Sequence, residues 1–583
     1  MILSEVKLIG FRNFKNATIK FDKKSLIIGA NDVGKTNLIW AIRLLLDRSF
    51  SDYDIEPKDS DFYAYEETNN FKITLKFIEV TEDCVVSKLK GKISDDDELF
   101  LMYEGFRDAS TRVKTYKLYG GSSIKNLEEI EDRFYRKVLN LKYISSRRDL
   151  TRYIDKEKSV LFQIAKENRT DEETVFDNSL YTEVKESLKT IDESIPKLIF
   201  VKNATSTINE ELSKLSLHHT QQQVVFESAA SDLDAFINNV AISAKHNEQS
   251  VLIGGEGRLN QIYLALWTTR NQLREENLNE VTVFCIEEPE AHLHPHQQRK
   301  LAEYLNNELY GQVIITSHSP QIASEFSPNS LIRLFNKDLK SKAASNGCSK
   351  IIDDAFIDFG YRMSIIPAEA FFANIVFLVE GPSEEIFYKT LAKQLEIDLD
   401  KLNISILMVD GIGFKTYIKI LNALNIEWVL RTDNDINKLP KKEEYHFAGI
   451  QRCIGIYREI YEKDEDTERI LSENENNLSG FKNSIPGDIS IRAASVIIED
   501  LELYNMFLSN KDLENDLFNS PLKTNLTKYF KNLDESEIVR AMQKRKATFM
   551  YDFLLENKGC LKALESDSIA KPLLNCKKLV EKL

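Results

Sequence analysis

The run Gly29-Ala30-Asn31-Asp32-Val33-Gly34-Lys35-Thr36 limits what this chain can fold into more than any other feature of it. Two glycines, a lysine and a hydroxyl at GxxxxGK[ST] spacing make a phosphate-binding loop, which works only between a buried strand and the start of a helix. Both flanks are present. Ser25-Leu26-Ile27-Ile28 reads as a short strand, and Leu38, Ile39, Ile42, Leu45 and Leu46 recur at helical spacing. Loop N–H groups can cradle phosphates, Lys35 can reach the β/γ-phosphates, and Thr36 can offer its hydroxyl to Mg2+. Gly29, Asn31, Gly34, Lys35, Thr36 and Asn37 are therefore candidate nucleotide contacts, with ATP and Mg2+ as the expected ligands.

A second apolar strand, Val281-Thr282-Val283-Phe284-Cys285-Ile286, ends in Glu287-Glu288. Two acids at a strand end form a Walker B arrangement, in which Glu287 would hold Mg2+ and Glu288 would polarise the attacking water. The first acid is more often Asp in this position, so Glu287 departs from the pattern. Upstream, Ile253-Gly254-Gly255-Glu256-Gly257-Arg258 precedes an apolar helix from Leu259 to Trp267, and Gly255 is the candidate backbone contact to a γ-phosphate. Downstream, Ala291-His292-Leu293-His294-Pro295 follows the acids, and the strand Val313-Ile314-Ile315-Thr316 leads to His318, which suits a γ-phosphate contact. His292, His294 and His296 alternate as metal ligands can, but their place after the acidic strand explains them without a metal.

From about residue 370 the pattern changes to alternating strands and helices. Ile375–Val379 reads as a buried strand ending at Glu380, and Gly381-Pro382-Ser383 turns the chain into a helix that carries Glu384. Ile404–Val409 is a further strand, and Ile426–Thr432 is another that ends in Asp433-Asn434-Asp435. Acids at the carboxyl ends of parallel strands lie where α/β folds place ligands. Glu380, Glu384, Asp433 and Asp435 can converge on one or two hard cations, and oxygen-only ligands suit Mg2+ or Mn2+. Such an ion polarises a phosphodiester and activates water. The alternative, surface acids capping helix N-termini, is reasonable for Glu384 but fits poorly to a DxD at a strand end.

Together these motifs resemble the OLD-family endonucleases, in which an ABC-type ATPase head precedes a Toprim domain, with particular similarity to nuclease subunits of Gabija anti-phage defence systems. The similarity runs through Leu8-Ile9-Gly10-Phe11-Arg12-Asn13-Phe14, the nucleotide motifs, the EGxxE and DxD pair, and Asp512-Leu513-Glu514-Asn515-Asp516-Leu517. It implies an α/β chain: an ATPase head over 1–365 with a helical insert at about 150–215, a candidate dimerisation element, then a Toprim domain over 366–583. That second domain would hold a Rossmann-like parallel sheet and a C-terminal helical extension. It also implies cleavage or nicking of double-stranded DNA, control by nucleotide, a homo-oligomer (dimer or tetramer) and a helicase-like partner. Asp512 and Glu514 would complete a second metal position, and Lys546 would steady the pentavalent phosphate. Without the resemblance, Asp512 and Glu514 could equally sit on an ordinary solvated helix.

Composition bears on the rivals. The formal charge of −15, from 92 acids against 77 bases, excludes a broadly basic DNA coat, so DNA contact must be local. No apolar run reaches a membrane span, the start lacks a signal peptide, and the six scattered cysteines make no CxxC pair, so a cytoplasmic protein with free thiols is expected. A topoisomerase-like transesterase needs a poised tyrosine, and the 22 tyrosines single out none. A non-enzymatic ATP-driven DNA clamp would leave the carboxylates idle, and a primase would be expected to carry zinc-ribbon cysteines.

Overall fold

The computed structural model describes residues 1–145, 150–215, 237, 242–246, 249–252, 256–272, 280–307, 309, 311–348, 368–409, 413–439, 443–482, 484–531 and 533–582. The phosphate-loop strand, Lys24–Ile28, lies inside a six-stranded sheet in the order Lys340–Ala343, Leu331–Lys337, Lys24–Ile28, Gln312–Thr316, Val281–Glu287, Leu139–Ile144. The inner pairings are parallel, as unbroken β-branched runs buried on both faces require. A second six-stranded sheet is antiparallel and begins with the hairpin Ile2–Phe11 and Phe14–Lys20, turned at Arg12, whose φ is +50°. The helix Lys35–Leu46 packs into the core between them through Leu38, Ile39, Ala41, Ile42, Leu44, Leu45 and Leu46.

Residues 150–215 form the helices Leu150–Glu167, Asp171–Ser194 and Ile199–Leu215, with the short turn Ile195–Lys197 between the last two. Asp171–Ser194 starts on a capping box, with Thr170 and Glu173 each accepting the other's backbone N–H. Gly254 and Gly255, and the segment holding the expected 365/366 boundary, lie outside the described residues.

Beyond that segment, four parallel strands form a sheet in the order Ile404–Met408, Ile375–Val379, Glu427–Thr432, Met506–Leu508. Its alternating side chains divide between two cores, Val376 and Leu378 facing the head and Phe377 and Val379 facing the C-terminal helices. The head-side core is continuous with Leu26, Ile28 and Ile286 of the ATPase sheet. The sequence reading placed no strand at Met506–Leu508, because three residues are too few to show a period. Between Asp435 and that strand the chain also inserts the small antiparallel sheet Ile436–Lys438, Tyr445–Phe447, Ser479–Phe481 and several helices.

Candidate active site

Every expected nuclease acid stands at the carboxyl end of the parallel four-stranded sheet or on a helix that reaches it. Glu380 follows the strand Ile375–Val379 directly, and Glu384 lies in the first turn of the helix Pro382–Gln394, 4% exposed. Asp433 and Asp435 follow the neighbouring strand Glu427–Thr432, Asp433 buried and Asp435 exposed. Asp512 is the N-cap of Leu513–Asn519, and Glu514 on that helix is fully buried. The solvated-helix alternative for these two acids is therefore overturned. Lys546 opens the helix Lys546–Asn557 and extends its ammonium to 3.5 Å from Asp433 Oδ2 and 3.3 Å from Glu514 Oε2.

Electrostatics follow from this crowding. Burial, reinforced by Glu380 and Glu384 and opposed by Arg431 and Lys546, pushes the Asp433 carboxyl up to about 7. Burial likewise raises Glu384, Asp435 and Glu514. Lys546 is driven the other way: burial disfavours its charge, yet Glu514, Asp433 and Glu384 together hold it above the ordinary lysine value. Glu514 Oε1 is buried without a hydrogen-bond donor, and Oε2 faces the Lys546 ammonium at 3.3 Å. A cluster of oxygen donors with excess negative charge fits a hard divalent cation. Among the described residues, no three His, Cys, Asp or Glu side chains already close around one point. The partners explain the spread. Glu380 Oε1 accepts from Thr432 Oγ1, from Asp433 N at 2.9 Å and from Arg452 Nη1 at 2.9 Å. Asp512 accepts from Asn515 N at 2.8 Å and Gln543 Nε2 at 2.7 Å.

Two guanidiniums here were not found from sequence. Arg452 donates to both Glu380 and Thr432, the latter at 2.6 Å, and buried Arg431 pairs with Asp516 at 2.9 Å. Neither belongs to a motif, and each comes close only through the fold.

In the head, Gly34 adopts φ +102° and ends the loop, so that the helix Lys35–Leu46 begins on its backbone. Lys35 Nζ donates to Gly29 O at 2.9 Å and Ala30 O at 2.7 Å, and burial lowers its ammonium to about 8. Asn31 is exposed on the loop and Thr36 in the first turn of the helix. Asn37 turns away, accepting from Arg12 and donating to Asn13, both at 2.8 Å. Glu287 pairs in register with Thr316 of the intervening strand and accepts from Tyr143 OH at 2.6 Å. Burial raises its carboxyl while Tyr143 and Thr36 restrain the shift. Glu288 holds φ +45° and lies 3.7 Å from His318 Nε2. His294 and His296 are exposed, and His296 Nδ1 meets Arg299 at 2.7 Å.

Fold and site define a class: a P-loop ATPase head carrying a TOPRIM carboxylate site. A family model described as an AAA ATPase domain matches residues 1–323, more than half of the chain, and one for the OLD-like TOPRIM domain matches residues 371–435. The chain belongs to the family of that AAA ATPase domain, and it carries an OLD-like TOPRIM domain after it. It is 25% identical to the endonuclease GajA of Bacillus cereus strain VD045 over 98% of both chains. It is 23% identical to the OLD nuclease of Thermus scotoductus, covering 78% of this chain and 89% of that one. Among solved structures, an SMC head bound to the C-winged helix domain of ScpA superposes with a TM-score of 0.37 at 16% identity, over 59% of this chain and 97% of that one.

Proposed function

We propose that this protein is a metal-dependent DNA endonuclease under nucleotide control, acting in anti-phage defence. The observation that carries the reading is the meeting of Glu380, Glu384, Asp433 and Asp435 at adjacent strand ends with Lys546, which arrives from the C-terminal helices. The relatives named as nucleases, matching 98% and 78% of this chain, support it.

Glu380 and Asp433, with Glu384 and Asp435, would hold Mg2+ or Mn2+, and Asp512 with Glu514 a second ion. A divalent ion held by these residues would neutralise phosphate charge and make an attacking water more acidic. Lys546 then has a task of its own: its ammonium, drawn in by Glu514 and Asp433, sits where charge on the pentavalent phosphate would grow. Arg452 fixes Glu380, and exposed Asp435 is the carboxylate open to the proton of the attacking water. Tyr388, the tyrosine beside Glu384, is buried and donates to Ile569 O at 3.0 Å, so it is not a nucleophile for transesterification. ATP with Mg2+ is assigned to Gly29–Thr36, Glu287, Glu288 and His318, with Gly255 completing the site from a second protomer. A homo-oligomer, a helicase-like partner, double-stranded DNA and a cytoplasmic location belong to the same reading. Among the described residues no helix is long and apolar enough to cross a membrane.

The test incubates purified protein with supercoiled and linear DNA, with Mg2+ or Mn2+, with and without ATP. Metal-dependent cleavage leaving protein-free ends is expected. A covalent protein–DNA adduct on a denaturing gel would replace this reading with the topoisomerase-like one, and binding without cleavage would favour the clamp.

A further inference from the structure

Arg333 is a buried cation whose partners, among the described residues, include no carboxylate. Its side chain is 8% exposed, and burial lowers its pKa to about 10. The guanidinium is satisfied by main-chain carbonyls: Nη1 donates to Leu424 O at 3.1 Å and Asn425 O at 2.9 Å, and Nη2 donates to Ala373 O at 3.0 Å. Burying a charge is costly, so retaining one for carbonyls alone needs a reason. Part of it is local, since Leu424 and Asn425 follow the helix Phe414–Ala423, where unpaired carbonyls and the helix dipole favour a cation.

The rest lies in what Arg333 joins. On the head side, Arg333 pairs in register with Ile28, the last residue before the phosphate loop. The next carbonyl, Leu334 O, passes so close to Gly29 that a Cβ there would stand 2.4 Å away. A shift of the loop on filling is therefore a shift of residues 333–334. On the other side, Ala373 lies two residues before Ile375, and Asn425 two residues before Glu427; these two strand starts pair with one another. The strands they begin are the two that end in Glu380 and in Asp433. One guanidinium thus spans the starts of both carboxylate-bearing strands from a strand that borders the nucleotide loop. A second tether runs parallel to it, Ser345 Oγ donating to Ala423 O at 2.6 Å.

We propose that Arg333 is a positioning residue for the nuclease site, through which occupancy of the phosphate loop sets the relation of the Glu380 strand to the Asp433 strand. The proposal rests on the nucleotide-controlled nuclease reading. The route is physical contact, with no residue between loop and guanidinium except the paired backbone of Ile28 and Leu334. The TOPRIM strands share their core with Ile28, so a displacement of Arg333 has packed side chains to act on.

The test compares the unaltered full chain with Arg333→Gln. DNA cleavage with Mn2+ is measured with and without a non-hydrolysable ATP analogue, alongside analogue affinity by calorimetry and melting temperature. In the unaltered chain the two cleavage rates should differ by about 5-fold or more, the range of typical allosteric coupling. In Arg333→Gln they should agree within about twofold while the analogue still binds, since the coupling free energy and not the nucleotide site is removed. A merely structural Arg333 would lower the melting temperature and leave the ratio as in the unaltered chain, which overturns the proposal. A ratio of one in the unaltered chain would instead overturn the nucleotide-control reading on which the proposal rests. Should Arg333→Gln fail to fold, hydrogen exchange on the unaltered chain decides. Analogue binding should alter protection at 373–376 and 425–428, and a change confined to the phosphate loop would overturn the proposal.

Discussion

The two acidic sites of this molecule solve the same problem, a phosphate brought to carboxylates, with different charge balances. In the head, Glu287 and Glu288 face a lysine from a separate, contiguous phosphate loop, and that lysine is held by carbonyls of the loop it belongs to. In the TOPRIM domain, six acids are gathered from separate segments, and Lys546, Arg431 and Arg452 answer them. The consequence lies in the electrostatics of the two sites. Burial lowers Lys35 to about 8, whereas burial raises Asp433 to about 7 with the acids around it. By formal count the head site has one excess negative charge and the nuclease site three, so the nuclease site has the greater need of a cation.

The sharpest way to break that contrast is to remove an acid. Asp433→Ala or Glu380→Ala should abolish cleavage, measured in single turnover with Mn2+, while circular dichroism shows an intact fold. Full cleavage by the folded double variant would sink the TOPRIM assignment. Removing the cations comes next. Lys546→Ala should slow cleavage by about 10²–10³, the usual cost of one well-placed stabilising group, with DNA affinity at two salt concentrations little changed. Weakened binding with an unchanged rate would make Lys546 a phosphate-positioning lysine only. Lys35→Ala, its counterpart in the head, should instead remove nucleotide affinity and ATP hydrolysis; retention of both would leave the loop without a function.

Arg452 sharpens the comparison further, because it holds an acid and has no counterpart in the head's motifs. Arg452→Ala should lower cleavage and apparent Mn2+ affinity by about 10–100-fold, as loss of a ligand's outer partner does, and Arg452→Lys should restore part of each. An unaltered Mn2+ titration would reduce it to a surface ion pair. Its absence from the sequence reading is instructive. The phosphate loop is legible because one backbone stretch does the binding, so the residues that matter are consecutive. Glu380 and Asp433 are legible because a buried strand announces the position that follows it. Asp512 and Lys546 were reached only through resemblance, and Arg452, Arg431, Tyr143 and Arg333 were not reached at all. Arg452 meets Glu380 across 72 residues and Tyr143 meets Glu287 across 144, and no periodicity encodes such approaches. The fold was read more fully than the site, since strands and helices are local patterns and ion pairs are not.

The smallest effect concerns stability without metal. Asp433 has a folded pKa of about 7, raised first by burial and then by Glu380 and Glu384, against an ordinary value of 3.8. A raised carboxylate is most stable in the fold when protonated, so its contribution is present below about pH 4 and is lost as the pH climbs through about 7. Asp433→Asn keeps the shape and cannot ionise. In a chelator, its melting temperature should match the unaltered protein's near pH 4 and exceed it above pH 7 by on the order of 5 °C, since a pKa unit is worth about 1.4 kcal/mol and 1 kcal/mol about 2–4 °C. The full shift would give more, but Glu380 and Glu384 share the repulsion and relax with it. Saturating Mn2+ should close the gap from the other side, raising the unaltered protein above pH 7 and leaving Asp433→Asn nearly where it was. Melting curves that stay parallel from pH 4 to pH 8, with and without Mn2+, would show that the site carries no excess charge, and the contrast with the head would fall.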